Sequence, residues 1–435
     1  MTGDDAAGVV GYYVHHVGSG HRHRAEVLAR RLRREGVAVT GLSSLPRPDG
    51  WPGDWVRLPR DDDGHPRHVS AHGHLHWAPL LHDGTRARAA ALSTWFEGAR
   101  PDLLVVDVSV EVLLLARLHG IPTVGVVLPG RRDDPAHLLG LGIAEALVGF
   151  WPRTAEDMTP GLPDDLRARL VPVGALSRHP VRAVLRSRPR PDERTVALML
   201  GSGGHDVSAD DVRRARGATP GWRWHVLGSD RSTWVEDPSA VLAGADVVVT
   251  HAGQNALAET AAARRPAVVL PQHRPHDEQR TTGDVLARGW PAVVRRVWPA
   301  AHEWGDVLDR AAALDPGGWK TWCDGWAADR FADVILATRD RVRAEGVACC
   351  ASTSSPSPTA DTSISQRSTG PSPAVLSGPT TTSSSRWTTP SWKAGHPGSS
   401  PAPSWSGRRR TREVFPSPRP ATGASARRSS WVPRC

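Results

Sequence analysis

The stretch Thr250–Gln279, THAGQNALAETAAARRPAVVLPQHRPHDEQ, decides how this chain reads. It opens at the end of an apolar run, Asp246-Val247-Val248-Val249, turns through His251-Ala252-Gly253 and enters an alanine-rich helical segment with one acid, Glu259. A second apolar run, Ala267 to Leu270, leads into a polar loop ending at Glu278-Gln279. Strand, glycine turn, helix, strand and polar loop in this order build half of a nucleotide-binding crevice, whose ligand lies beyond the carboxyl ends of parallel strands. Asn255 and Glu259 are four apart and share one helical face. A carboxylate there accepts both hydroxyls of a ribose. The N–H groups near Gly253 and Gln254 suit a diphosphate, a helix-end charge effect being about 0.3–1 kcal/mol.

Upstream, short apolar runs alternate with helical patterns. Val9–Val14 predicts a strand, Arg22–Arg34 a helix with Ala25, Leu28 and Leu32 on one face, and Val37–Gly41 a second strand. Residues 44–76 are turn-rich. A helix over 80–98, a buried strand at Leu103–Val108, a helix at Val110–His119, a strand at Thr123–Leu128 and short elements at Ala144–Phe150 and Leu170–Val173 follow. The pattern restarts with a strand at Thr195–Leu200, a helix near 207–216 and a strand at Trp222–Leu227, and a helical portion runs from Gly317 to about Thr338. Alternation of this kind predicts an α/β fold with two Rossmann-like parallel-sheet domains facing a cleft. The expected division is 1–178, a Pro- and Arg-rich linker over 179–193, and 194–340.

Two further loops carry candidate chemistry. Gly18-Ser19-Gly20-His21 stands between the first strand and the first helix, where glycines let backbone approach a ligand and the helix start favours an anion. His21 is placed there to act as a general base, a role worth about 10²–10⁴-fold in rate; the plain alternative is a turn whose histidine packs. Gly201-Ser202-Gly203-Gly204 follows the first strand of the second half, like a phosphate-cradling turn without the Lys-Ser/Thr ending of a P-loop. His72, His74 and His76 would share one face of a strand, but no acid or cysteine stands near them at a familiar spacing, so no metal site is expected.

The net charge of +9 does not point to nucleic acid. Residues 347–435 hold 11 Arg and Lys against 2 Asp and Glu, which is the whole excess, and the rest of the chain is neutral. That tail is Ser-, Thr-, Pro- and Arg-rich with few aliphatics, and it is expected to be disordered or an out-of-frame translation. Of the four cysteines only Cys323 falls within the expected folded part, so no disulfide framework is implied. No apolar run reaches the roughly 18–20 residues of a membrane span, and no secretory pattern opens the chain. A cytoplasmic protein is expected. The arginine face of the first helix suits peripheral contact with acidic lipid, the alternative being an ordinary solvated face.

The Thr250–Gln279 stretch resembles the nucleotide-sugar motif of the GT-B glycosyltransferases, especially the family 28 group that includes the peptidoglycan N-acetylglucosaminyltransferase. His251-Ala252-Gly253, Glu259, Arg265-Pro266 and Glu278-Gln279 match its turn, acid, strand entry and sugar-facing pair, and Gly18-Ser19-Gly20-His21-Arg22-His23-Arg24 matches its N-terminal loop. Arg265 stands where that group has glycine, and Glu278 where it has Asp or His. The resemblance implies an inverting, metal-independent hexosyltransferase with no cofactor, acting in glycoconjugate or cell-surface polysaccharide synthesis. It implies a nucleotide-sugar donor, UDP being the expected nucleotide, and an acceptor on the N-terminal domain, of which a lipid-linked one is one kind. It places Glu259 on ribose, Gly201, Ser202, Gly203, Gly204, His251, Gly253, Gln254 and Asn255 near the phosphates, and Glu278 and Gln279 on the sugar. Gly18, Gly20 and His21 fall on the acceptor side. A nucleotide-sugar hydrolase or epimerase on the same fold and a non-catalytic binding module are the competing readings.

Overall fold

The computed structural model describes residues 8–17, 20–183, 194–201, 206–228, 235 and 237–353, with side chains as far as residue 345. Gly18, Ser202, Gly203, Gly204, most of the expected linker and the chain beyond residue 353 lie outside the described residues. Among the described residues the strands are β1 Val9–Val14, β2 Ala38–Ser43, β3 Trp55–Arg57, β4 Leu103–Asp107, β5 Thr123–Val127, β6 Ala146–Gly149, β7 Leu170–Pro172, β8 Arg194–Met199, β9 Trp222–Leu227, β10 Val247–Thr250, β11 Ala267–Val269 and β12 Ala292–Val294. The α-helices are α1 Gly20–Arg33, α2 Asp83–Ala99, α3 Val110–Leu118, α4 Pro135–Ile143, α5 Asp164–Arg169, α6 Ala209–Ala218, α7 Ser239–Gly244, α8 Gln254–Ala262, α9 Glu278–Leu286, α10 Trp304–Ala312, α11 Trp319–Trp322 and α12 Ala327–Thr353.

The strand sequences are apolar throughout because both faces of each sheet are covered. In β1, Val10, Tyr12 and Val14 enter one core while Tyr13 enters the other; in β4, Leu103 and Val105 part from Leu104 and Val106 in the same way. The period of two is thus present, with apolar residues in both phases. Two parallel sheets result. The first has the order β3-β2-β1-β4-β5-β6-β7 and the second β12-β11-β10-β8-β9, with every pairing parallel. The strand order reverses between β1 and β4 in the first sheet and between β8 and β10 in the second. Loops leaving such neighbours part to opposite faces and open a crevice. His21 follows β1, Asp107 ends β4, Gly201 follows β8 and His251 follows β10, so all four stand at the crevices.

Several elements depart from the expectations. The C-terminal helical portion is broken: α11 ends at Trp322 and α12 begins at Ala327. α12 then continues to Thr353, past residue 347 where the tail was expected to start. The residues to 340 had been assigned to the second domain, yet Phe331, Ala332 and Ile335 of α12 are fully buried with Val10, Tyr12 and Leu28 of the first. Edge-on contacts of Phe331 with Tyr12 and Phe150, at 6.5 and 5.1 Å between centroids, anchor it there. The sequence shows an amphipathic helix here but not which sheet it covers. Residues 71–73 form a 3-10 turn with His72 at φ +58°, so His72, His74 and His76 do not share a strand face. No helix among the described residues is long and apolar enough to cross a membrane. Among the arginines of α1, Arg22 and Arg30 share Glu26, and Arg31 pairs with Glu35 and Asp329.

Candidate functional site

A cleft of about 1240 Å³ is lined by Gly20, His21, Gly201, His251, Gly253, Gln254, Asn255, Glu259, Glu278 and Gln279. Every expected site residue that the structure describes therefore reaches the same space, from both sheets. The starts of α1 and α8 face each other across it: a Cβ on Gly20 would lie 3.1 Å from the Asn255 amide nitrogen. Neither helix has an acid in its first turn, and no side chain caps α8. The N–H groups and partial positive end of α8 remain available to an anion in the cleft.

On the side of the second sheet, the site is built from backbone and amide groups. His251 Nδ1 accepts from the Gly253 N–H at 2.9 Å, which leaves the proton on Nε2. Gly201, at φ +74°, sits against that ring, and a Cβ there would be 2.6 Å from Nε2. Gln279 is 3% exposed, and its Oε1 accepts from the N–H groups of Ala252 at 3.1 Å and Gln272 at 3.0 Å. Its carbonyl thus ties the two strand-end loops together and only its NH₂ remains to meet a ligand. Glu259 pairs with Arg178 (Nε to Oε1, 2.8 Å), a partner from the segment after β7. Burial raises its carboxyl pKa although Arg178 and His179 oppose the shift. Burial likewise raises Glu278, against the pull of Arg132, His21 and Arg24.

On the side of the first sheet, the site is built from charged side chains. His21 Nδ1 lies 2.9 Å from Asp107 Oδ1. The other carboxylate oxygen receives Arg24 Nε at 3.1 Å and the Tyr12 hydroxyl at 3.1 Å. Asp107 is wholly buried. Burial alone would raise its pKa, but Arg24, His21 and Tyr12 together hold it below the ordinary range. Arg24 Nη1 donates across the cleft to Gln254 Oε1 at 3.1 Å, and its guanidinium lies over Phe150. The residue after Asp107 is Val108, at φ +63°. A β-branched residue in the left-handed region costs about 1–3 kcal/mol and is held there only by the structure around it. It turns the chain between Asp107 and Ser109, which caps α3 by accepting from the Val112 N–H. Sequence reading missed Asp107, Arg178 and Gln272, while Arg24 stood in the N-terminal loop motif without an assigned role. The one available signal was that Asp107 ends a buried strand.

A second cavity of about 920 Å³ opens beside the cleft in the first half. Apolar walls from Tyr13, Val17, Trp77, Leu92, Val112 and Leu115 meet a polar end of Asp61, Asp62, Arg88 and Glu111. Val17 lines both cavities. His15 lines the second cavity and stands edge-on to His21, 5.6 Å between centroids. Burial, with His21, His16 and Arg88 nearby, drives the His15 pKa well down. His21 is therefore at the junction of the two cavities.

Residues 229–283 match the glycosyltransferase family 28 C-terminal domain. No curated protein matches the chain in sequence. Solved structures share its fold. CalG4, the calicheamicin glycosyltransferase, aligns at a TM-score of 0.54 and 19% identity over 77% of this chain and 99% of its own. Phytolacca americana UGT2, complexed with UDP-2-fluoro-glucose and pterostilbene, aligns at 0.52 and 16% over 77% and 100%. Acinetobacter baumannii MurG aligns at 0.51 and 14% over 76% and 99%. The fold of this chain is thus the GT-B fold of these glycosyltransferases, and its resemblance to family 28 in sequence lies in residues 229–283, which overlap the Thr250–Gln279 stretch.

Proposed function

We propose that this chain transfers a sugar from a nucleoside diphosphate sugar, with UDP the expected nucleotide, to an acceptor hydroxyl, inverting the anomeric carbon and using no catalytic metal. The observation that carries the proposal is the buried His21–Asp107 pair at the junction of the two cavities. With Nδ1–H directed at Asp107, His21 keeps the Nε2 lone pair for a proton. An acceptor held in the apolar cavity gives its hydroxyl proton to Nε2 as its oxygen bonds to the anomeric carbon. The bond from that carbon to the diphosphate breaks on the opposite face, and the electron pair leaves with the diphosphate oxygen. The buried carboxylate stabilises the imidazolium formed. The N-terminus of α8, with Gly253 and His251 beside it, meets the departing charge with fixed donors. Glu259 is assigned to the ribose and Glu278 with the Gln279 NH₂ to the sugar. Residues 1–178 and 194–340 are proposed as the two domains, with α12 returning to the first.

Hydrolysis and simple binding are the alternatives. The second cavity, walled by Tyr13, Leu92, Val112 and Leu115, holds more space than a water nucleophile needs, which favours an organic acceptor. The deciding experiment incubates the chain with UDP-sugars, with and without hydroxylated apolar acceptors, and follows both glycoside and free sugar. Glycoside formation supports transfer. Free sugar at the same rate without acceptor would establish hydrolysis, and donor-induced thermal stabilisation without turnover would establish a binder. A ligand at 100 times its Kd stabilises by about 2.7 kcal/mol, which a melting curve registers readily.

A further inference from the structure

His76, Asp134 with His137, and His276 come from remote parts of the sequence, and their ligand atoms lie within 4.8 Å of one another. They come from three places. His76 follows the 3-10 turn Ala71–Gly73, and its N–H and that of Trp77 both donate to Glu111 Oε1 at 2.8 Å, which fixes the loop. Asp134 is the N-cap of α4, with His137 one turn on and donating its backbone N–H back at 3.1 Å. His276 belongs to the other side of the cleft, in the turn before α9, at φ +57°. Its carbonyl accepts from the Arg131 N–H at 2.8 Å, and Gly130 makes this approach possible, since a Cβ there would lie 2.2 Å from that oxygen.

The side chains converge on one carboxylate. His76 Nε2 is 3.0 Å from Asp134 Oδ1, and His276 Nδ1 is 3.6 Å from Oδ2, outside hydrogen-bond reach. A first-row cation with bonds of about 2.0–2.1 Å separates its ligands by about 3–3.5 Å; His76 stands at such a distance from one oxygen of Asp134, and His276 lies just beyond it from the other. His137 has a different part. Arg132 Nη1 lies 3.2 Å from its Nε2; a guanidinium only donates, so that nitrogen accepts and the proton is on Nδ1, 2.5 Å from Asp134 Oδ2. A histidine that donates to a ligating carboxylate orients it and sets its basicity. Two imidazoles and a carboxylate suit a borderline divalent ion, whereas Mg²⁺ and Ca²⁺ require oxygen ligands.

We propose that His76, Asp134 and His276, with Asp134 positioned by His137, form a binding site for a divalent transition-metal ion of the Zn²⁺ class that fastens the loop at 74–77 and the start of α4 to the turn leading into Glu278. Only His76 of the four lines either principal cavity. The ion therefore acts as a tie between the two halves of the chain, and the proposal is independent of the transfer reaction.

The test uses the full chain after chelator treatment, titrated with Co²⁺ and followed by its visible ligand-field absorption, with Zn²⁺ competition giving the affinity. One equivalent is expected to bind, and Zn²⁺ is expected to raise the melting temperature. His276→Ala and His76→Ala should each weaken binding by at least about tenfold. Asp134→Asn keeps an N-cap and should do the same. Replacing the exposed His72 and His74 together by alanine should change nothing. If an alanine variant does not fold, His276→Gln and Asp134→Asn carry the test. Absence of a stoichiometric Co²⁺ spectrum in the unaltered chain, or unchanged affinity in Asp134→Asn and His276→Gln, would overturn the site.

Discussion

The two walls of the cleft are made of different materials. The wall from the first sheet is a charged cluster with Asp107 buried at its centre and His21, Arg24 and Tyr12 on its two oxygens. The wall from the second sheet combines the start of α8, His251 and the Gln279 amide with two carboxylates set apart from each other, Glu259 paired with Arg178, and Glu278. Moving a proton needs a base whose charge changes are absorbed nearby, and a buried carboxylate beside an imidazole supplies this. In the proposed reading a diphosphate is met by the fixed N–H groups at the start of α8, while the two carboxylates of that wall face sugar hydroxyls. Chemistry and binding are thereby assigned to opposite walls, and substitutions should separate them.

The largest separation is expected from His21→Ala. Turnover should fall about 10²–10⁴-fold, while the melting shift induced by UDP stays within error of the unaltered chain. Equal loss of both in steady-state and thermal-shift measurements would end the division of labour. Asp107→Asn should lower kcat by about a hundredfold or more with little change in donor KM. The amide cannot stabilise the imidazolium, and its NH₂ competes for the wrong imidazole tautomer. On the opposite wall, Gln279→Ala leaves the buried N–H groups of Ala252 and Gln272 without their acceptor, at about 1–3 kcal/mol each. It should show as a lower melting temperature and a raised donor KM, with kcat affected less than in either first-wall variant.

Acid sharpens the same contrast. Burial pushes the Asp107 carboxyl up, but Arg24, His21 and Tyr12 pull it further down, so its folded pKa is depressed. Its contribution to stability is therefore complete above the unfolded value of about 3.9 and is lost as pH falls below it. Melting temperatures of the unaltered chain and Asp107→Asn should converge as pH drops below about 4, and a constant gap would mean that the carboxylate does not stabilise the first wall. The smallest effect belongs outside the cleft. Arg30→Ala breaks a solvent-exposed pair with Glu26 on α1 and should change stability by no more than about 0.5 kcal/mol in denaturant unfolding. A larger loss would show that the charged surface of α1, and not only its buried face, supports the first wall.

Much of this architecture was legible in the chain itself. β1 and β9 have the boundaries their apolar runs predicted, and the end of β10, α8 and β11 follow in the expected order, although Glu278-Gln279 opens α9 where a loop was expected. Covered parallel strands are apolar in both phases, which makes them conspicuous. Short edge strands are not: β3 and β12 have three residues each, too few for a period to show. α4 and α10 were also missed. The helix over Pro135–Ile143 is almost uniformly apolar on a short length, and Trp304–Ala312 follows a proline-rich stretch without a strong start signal. In the site, His21, Gly253, Asn255 and Glu259 stood out because each lies in a local motif. Asp107 did not, because its meaning depends on β4 lying next to β1, 86 positions along the chain from His21.

The same division holds for the whole protein. Sequence alone determined what is local and periodic: the alternation of strand and helix, the glycine turns at strand ends, the acid four residues after Asn255, and the confinement of the net charge to the tail. Tertiary structure decided which strand ends became neighbours, and with them the partners of every buried charge. Asp107 met His21 and Arg24, Glu259 met Arg178, and Asp134 drew in three histidines. It also sent α12 back to the first sheet. The physical reason is that periodicity records whether a residue is covered, while hydrogen bonds and ion pairs depend on what covers it, and that is set only when elements remote in sequence pack together.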